Sequence, residues 1–403
     1  MRKIAVITGI VVAVAAAALG SSASANTRTT AASSLCRQAG IGFAGPLSGP
    51  ASFLGTDQHH WMTLFLSYWN AGKPIPGVPA GLKRVKLKDA LEGDSQLNPQ
   101  VSATVAGQMA SNKSILAMVG FAGSNENLGG GPVLDRAGMA YVSGSATKDE
   151  LTSSLKDFFR VVPNNTKQAT IGVGYIIKAV GLKSGEQAMV VDDGEAYGVG
   201  IADAGQKILA AAGAKVDRES LPESTSSATA DFSALAEKAV ATKAKLVYAP
   251  TQVASDSQLF TQQLKNAGYA GAFMATDGSM DPTSFKFPGA YVSFFGPGIT
   301  AISKQFVNAY TKKYGAKAAS DPFGAPSFVA AQMIAIAISK SCAKGTTSRA
   351  AVARTLRTVS IPTSILGHEV AFDNAGDVKK GPARGVTVFK IQADGSFKQV
   401  ASG

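Results

Sequence analysis

The run Ile41-Gly42-Phe43-Ala44-Gly45-Pro46-Leu47-Ser48-Gly49-Pro50 opens the folded part of the chain. Its first four residues read as a strand, and residues 57–70 follow as a helix, with Trp61, Leu64, Phe65 and Tyr68 at i, i+3, i+4 and i+7. The alternation continues outward from there. Strands read at 85–90, 115–120 and 140–143, a helix at 99–112 with Asn98 as N-cap and Pro99 at its first position, and a short turn or helix at 129–136. A second succession has helices at 166–180, 199–212, 232–242 and 255–267, and strands at 188–192, 215–219, 246–249 and 272–276. Alternating strands and helices build parallel sheets covered on both faces, so two successions predict two doubly wound α/β lobes.

The last quarter is different. Long helices read at 302–314, 326–341 and 349–359, then strands at 369–372 and 386–391, the turn Asp394-Gly395 and a last short strand. Helices placed there imply that the chain returns to complete the first lobe, which makes a multi-crossover hinge. The expected lobes are 36–162 plus 297–372, and 163–296 plus 373–403.

The amino terminus sets the compartment. Arg2 and Lys3 precede an apolar run over residues 4–19, and Ala23-Ser24-Ala25 supplies a small-x-small cleavage pattern, as in a secretory signal peptide cut after Ala25. No cysteine sits where a lipid anchor would need one, and no later apolar stretch reads as long enough to span a membrane. A soluble periplasmic protein is expected, with residues 26–35 as a flexible tail. Removing 25 of the 403 residues leaves about 378, more than the roughly 250–300 at which one core divides.

Cys36 and Cys342 are the two cysteines. In an oxidising compartment such a pair is expected to form a disulfide, two buried thiols being the alternative. No metal-ligand spacing occurs. The net charge of +12 is scattered, over residues such as Lys83, Lys86, Lys88, Lys312 and Lys313, without interleaved aromatics. That describes a solvated surface and argues against nucleic-acid binding.

Ligands bind parallel sheets beyond the carboxyl ends of the strands, so those turns carry the chemistry. Phe121-Ala122-Gly123-Ser124-Asn125-Glu126-Asn127 and Gly144-Ser145-Ala146-Thr147-Lys148 are small, hydroxyl-bearing turns leading into helical segments. Free N–H groups with Ser and Thr hydroxyls suit an anion such as a carboxylate, and the same residues also serve as ordinary helix caps. Asp193-Gly194-Glu195-Ala196-Tyr197-Gly198 and Asp277-Gly278-Ser279 follow strands of the second succession. An acid at such a strand end suits an ammonium group, or simply makes a turn.

The opening run, Ser145-Ala146-Thr147, Asp192-Asp193-Gly194-Glu195-Ala196-Tyr197-Gly198, Lys265-Asn266-Ala267-Gly268 and Asp373-Asn374-Ala375-Gly376-Asp377 together resemble type I periplasmic binding proteins, in the branched-chain amino-acid-binding (Leu/Ile/Val-binding) family of ABC transporters. The resemblance implies that Ser124, Ser145, Ala146 and Thr147 hold a ligand carboxylate. It implies further that Tyr197 closes over the ligand, Asp277 takes its ammonium and Phe323 lines the side-chain pocket. Leu54 falls where the family often has a loop aromatic, and Gln252 or Val253 replaces an expected second Tyr. A local disulfide of the family is absent, and Cys36–Cys342 would instead tie the first strand to a late helix.

Enzyme motifs are incomplete. Gly93-Asp94-Ser95 lacks the next esterase position, and Ser153 and Lys156 lack the partner motifs of an S-x-x-K enzyme. His59 and His60 are adjacent and would diverge on a helix, and Gly129-Gly130-Gly131-Pro132 lacks the Lys of a phosphate loop. The expected function is capture of an amino acid, without a cofactor, by a monomer that delivers it to an inner-membrane permease. Urea, a short amide or an aromatic acid is the alternative ligand, and a sensing module without a permease is the alternative role.

Overall fold

The computed structural model describes residues 34–222, 230–315, 322–379 and 385–403. The leader expected over residues 1–25, and all but the last two residues of the tail expected over 26–35, lie outside the described residues.

Two sheets organise the chain. The first comprises β1 (Gln38–Gly45), β2 (Lys86–Asp94), β3 (Ile115–Val119), β4 (Ala140–Ser143) and β5 (Phe158–Arg160), all parallel, in the order β2-β1-β3-β4-β5. Helices α1 (Ser52–Asn70), α2 (Pro99–Ser111) and α3 (Ser124–Arg136) connect these strands. The second sheet holds β6 (Gln187–Asp192), β7 (Lys215–Ser220), β8 (Leu246–Tyr248), β9 (Ala272–Ala275) and β10 (Tyr291–Phe294). Its helices are α4 (Asn165–Val180), α5 (Ala196–Ala211), α6 (Ser233–Ala241) and α7 (Ala254–Asn266).

The last part of the chain returns to the first sheet. Helices α8 (Lys304–Tyr314), α9 (Gly324–Ser341) and α10 (Arg349–Leu356) precede the short pair β11 (Ser360–Ile361) and β12 (Val370–Ala371). α9 packs on α1, β3 and β4, and α10 on β3 and β4. The chain then crosses to the second sheet and adds β13 (Thr387–Ile391) and β14 (Phe397–Ser402), giving the order β14-β13-β10-β9-β8-β6-β7. β13 runs antiparallel to β10 and β14, so the second sheet is parallel only as far as β10. β5 and β10 were not foreseen; β5 has three residues, too few for a periodic pattern to register.

Other departures have local causes. α1 starts at Ser52, five residues before the predicted start, and so places Leu54 in its first turn. α3 is a full helix despite Gly129, Gly130, Gly131 and Pro132. Its glycines are there for close approach: a Cβ on Gly129 would lie 2.1 Å from the Pro99 carbonyl oxygen, and one on Gly130 would lie 2.4 Å from the Phe121 ring. The expectation that no later stretch could span a membrane is corrected by residues 324–344, which are long and apolar enough to do so. That segment is 83% buried within the fold, so it is a core helix.

Arg160 is completely buried at the first crossing between the sheets. Its guanidinium donates to the carbonyls of Lys148 (2.6 Å) and Asp149 (3.2 Å) and pairs with Asp377, which also accepts from the Thr152 hydroxyl at 3.0 Å. The turn over residues 144–149 is thereby tied to the returning chain. At the other end of the first sheet a disulfide joins Cys36, just before β1, to Cys342 at the end of α9, a sequence separation of 306. A closed loop of that length restricts the unfolded chain strongly. The double variant Cys36→Ser/Cys342→Ser is expected to lose roughly 2–5 kcal/mol of unfolding free energy in urea titrations, and native oxidised protein should present no reactive thiol after denaturation.

Candidate functional site

β1 lies between β2 and β3, and β6 between β7 and β8, so each sheet reverses its strand order there. The crevice beyond the carboxyl ends of strands at such points accepts ligands. A narrow cavity lies there, lined by Leu54, Ala122, Gly123, Ser124, Ser145, Tyr197, Gln252, Asp277 and Phe323. Six residues singled out from the sequence meet in it: Leu54, Ser124, Ser145, Tyr197, Asp277 and Phe323.

On the first-sheet side, Ser124 is the first residue of α3, whose leading N–H groups and helix dipole face the cavity region. The Ser145 hydroxyl donates to the Ala122 carbonyl (2.7 Å) and accepts from the Gln58 amide (2.8 Å), and Gln58 accepts in turn from Ser327 at 3.0 Å. Behind this wall lies Glu126, fully buried, with hydrogen bonds from the Ser95 hydroxyl and the Gly123 N–H. Burial pushes its carboxyl up to about 8. It is therefore protonated at neutral pH and puts no negative charge behind the hydroxyl wall.

Ala146 and Thr147 do not line the cavity. The Ala146 N–H is taken by the Ser143 hydroxyl at 2.9 Å. Thr147 is completely buried at the chain crossing. There its carbonyl accepts the Asn165 N–H at 2.7 Å, and its hydroxyl lies 2.7 Å from the Asn165 side-chain amide once that amide is turned to donate.

On the second-sheet side Asp277 follows β9 and is 4% exposed. Tyr197 donates to its Oδ1 at 2.5 Å and Gln168 to the same oxygen at 2.6 Å. No side chain among the described residues bonds Oδ2, and no Lys or Arg pairs with the group. Burial raises its carboxyl to about 6, against the lowering effect of these two hydrogen bonds. It remains ionised at pH 7, though not by a wide margin.

Leu54 and Phe323 form the apolar wall. Phe323 packs edge-on against Phe53 and Phe294, with ring centroids 5.7 and 5.4 Å apart, and is 5.8 Å from Phe295. Gln252 completes the lining after β8, and a larger chamber opens beyond it between Gln96, Asn98, Asn125, Asp193 and Glu195. The two sides also touch directly at the rim. Asn125 Oδ1 accepts the Ala196 N–H at 2.9 Å and its amide donates to Glu195, so a residue of α3 caps the start of α5.

Gln58 and Gln168 escaped the sequence reading. Each lies on a helix with an ordinary amphipathic pattern, and nothing local marks it as facing the cleft. Gln252 was noted only as one of two candidates for a substituted position.

Comparison with known proteins fits this geometry. A family model described as "Periplasmic binding protein" matches residues 38–396. The chain is 28% identical over 239 residues to an "Amino acid binding protein" of Pseudomonas aeruginosa, a match that spans 59% of this chain and 60% of that relative. It is 26% identical over 366 residues to "Leu/Ile/Val-binding protein homolog 7" of Brucella abortus, covering 85% of this chain and 86% of the relative. Among solved structures, the leucine-binding protein LivK of Thermotoga maritima superposes with a TM-score of 0.77 at 20% identity, covering 90% of this chain and 98% of its own. A solute-binding protein of an R. palustris ABC transporter, in complex with benzoate, gives a TM-score of 0.72 at 15% identity, with 90% and 95% coverage. The chain belongs to the periplasmic binding protein family, whose model spans residues 38–396, and shares the fold of the solved solute-binding proteins.

Proposed function

We propose that this protein captures an α-amino acid of branched-chain-like size between its two lobes and delivers it, as a monomer, to a permease in the inner membrane. It would be exported to the periplasm, with the leader cut after Ala25. The reading rests above all on one observation: a hydroxyl wall at a helix start faces, across a small cavity, a buried carboxylate with one open oxygen. The zwitterion of an amino acid complements both walls. Its carboxylate would lie on the Ser124 N–H and hydroxyl, beside Ser145, its ammonium on Asp277 Oδ2, and its side chain against Leu54 and Phe323. Neither end can be buried cheaply without its partner, which makes the pair a specificity device. No catalytic constellation is proposed.

Closure follows from the same contacts. The ligand bridges walls carried by different sheets, so it favours the arrangement in which they meet, and the Asn125 clasp adds to that arrangement. The closed form would then dock on the permease. An aromatic acid is the second reading, favoured by the ring cluster of Phe53, Phe294, Phe295 and Phe323 and by the benzoate complex of the R. palustris protein. Such a ligand has no ammonium and makes no use of Asp277.

Isothermal titration of Asp277→Asn separates the two readings. L-Leucine affinity is expected to fall about 100-fold, as for loss of a charge-assisted bond in a buried site, while benzoate binding would be unchanged or stronger. Undiminished leucine affinity would remove the ammonium assignment.

The pH dependence has a definite sign at each limb. As pH falls through about 6, Asp277 protonates and amino-acid affinity drops, approaching roughly ten-fold per unit. As pH rises through about 8, Glu126 ionises behind Ser124 and affinity drops again. A bell-shaped profile is expected, and Glu126→Gln should flatten its alkaline limb alone.

Asn125→Ala touches neither ionic end of the ligand. It is expected to raise the dissociation rate several-fold in stopped-flow fluorescence with the association rate nearly unchanged, because it loosens the closed state. An unchanged dissociation rate would show that the clasp carries no weight.

A further inference from the structure

Gln252 is 7% exposed, and its side-chain amide makes no hydrogen bond to any described residue. Its backbone N–H, by contrast, is fixed by Asp193 Oδ2 at 2.5 Å. The side chain lines both the small cavity and the outer chamber, so it stands where one opens into the other. Both its donor and its acceptor are therefore open to a polar group that enters the cavity. Two neighbouring amides are tied to the walls by their donors: Gln58 donates to Ser145 and Gln168 to Asp277.

The chamber beyond Gln252 limits what can reach it. Asp193, Glu195 and Asp256 are part of its lining, and no Lys, Arg or His is among its lining residues. A second carboxylate on the ligand would be repelled there. Asp193 already accepts the N–H groups of Gln252 and Glu195, and Glu195 is held by Asn125, so these two carboxylates are committed within the protein. What fits is a neutral group able to give and take hydrogen bonds.

We propose that Gln252 hydrogen-bonds the distal end of the ligand side chain and selects an amino acid ending in a neutral carboxamide or hydroxyl group over a purely aliphatic one. This rests on the amino-acid reading above. An amide opposite an amide can satisfy both its donor and its acceptor, and an aliphatic side chain satisfies neither.

The test is calorimetric titration of the full-length exported protein and of Gln252→Leu with L-glutamine, L-threonine, L-leucine and L-glutamate. Wild type should bind glutamine or threonine at least about ten-fold more tightly than leucine, with glutamate weakest, and Gln252→Leu should erase or reverse that order. Gln252→Glu, which keeps the shape, should lose glutamine by a similar factor. It stands in if the leucine variant melts early. A glutamine-to-leucine ratio that is the same in wild type and variant, or a wild-type preference for leucine, overturns the assignment of Gln252 and leaves the amino-acid reading standing. Failure of wild type to bind any of the four overturns the amino-acid reading, and this assignment with it.

Discussion

Hydrogen bonds from Tyr197 and Gln168 reach only one of the two oxygens of Asp277, at 2.5 and 2.6 Å, in a largely buried place where no Lys or Arg among the described residues pairs with it. An ionised carboxylate in such a place is held at a cost, and its carboxyl rises to about 6 in consequence. Much of the second lobe's arrangement serves that group. α4 contributes Gln168, the start of α5 contributes Tyr197, and the end of β9 presents the acid itself. Its Oδ2 accepts no side-chain hydrogen bond among the described residues.

The first lobe answers with neutral groups. Ser124 offers a hydroxyl, the Ser145 hydroxyl is fixed between Ala122 and Gln58, and the buried acid behind them, Glu126, is protonated at neutral pH by its own burial. One carboxyl is thus ionised and one neutral across a single cavity, and environment alone makes the difference. Asp277 receives two side-chain hydrogen bonds that favour its charge. Glu126 is more completely enclosed and has Asp94 nearby to oppose ionisation.

Movement of one lobe against the other is constrained at two places. Arg160, Asp377 and the Asn165–Thr147 contact tie the chain crossings. At the rim Asn125 supplies a clasp whose partners are an N–H group and an exposed carboxylate. The contact at the crossing is buried and charge-assisted, and the one at the rim is lighter.

Much of this was legible in the sequence. Strand–helix alternation and period-3.6 stripes such as Trp61, Leu64, Phe65 and Tyr68 determined two α/β lobes, because each element must bury its apolar side locally. Strand-end turns pointed to Ser124, Ser145, Tyr197 and Asp277, which line one cavity, because parallel sheets bring such turns to one crevice. Tertiary structure decided what depends on residues distant in the chain. Thr147 is drawn away from the cavity by Asn165, α3 persists through three glycines because α2 and Phe121 press against it, and Asp377 reaches Arg160 across 217 positions. It also left Gln252 without a partner, a property no local pattern encodes, because whether a polar group is satisfied depends on every chain segment that folds around it.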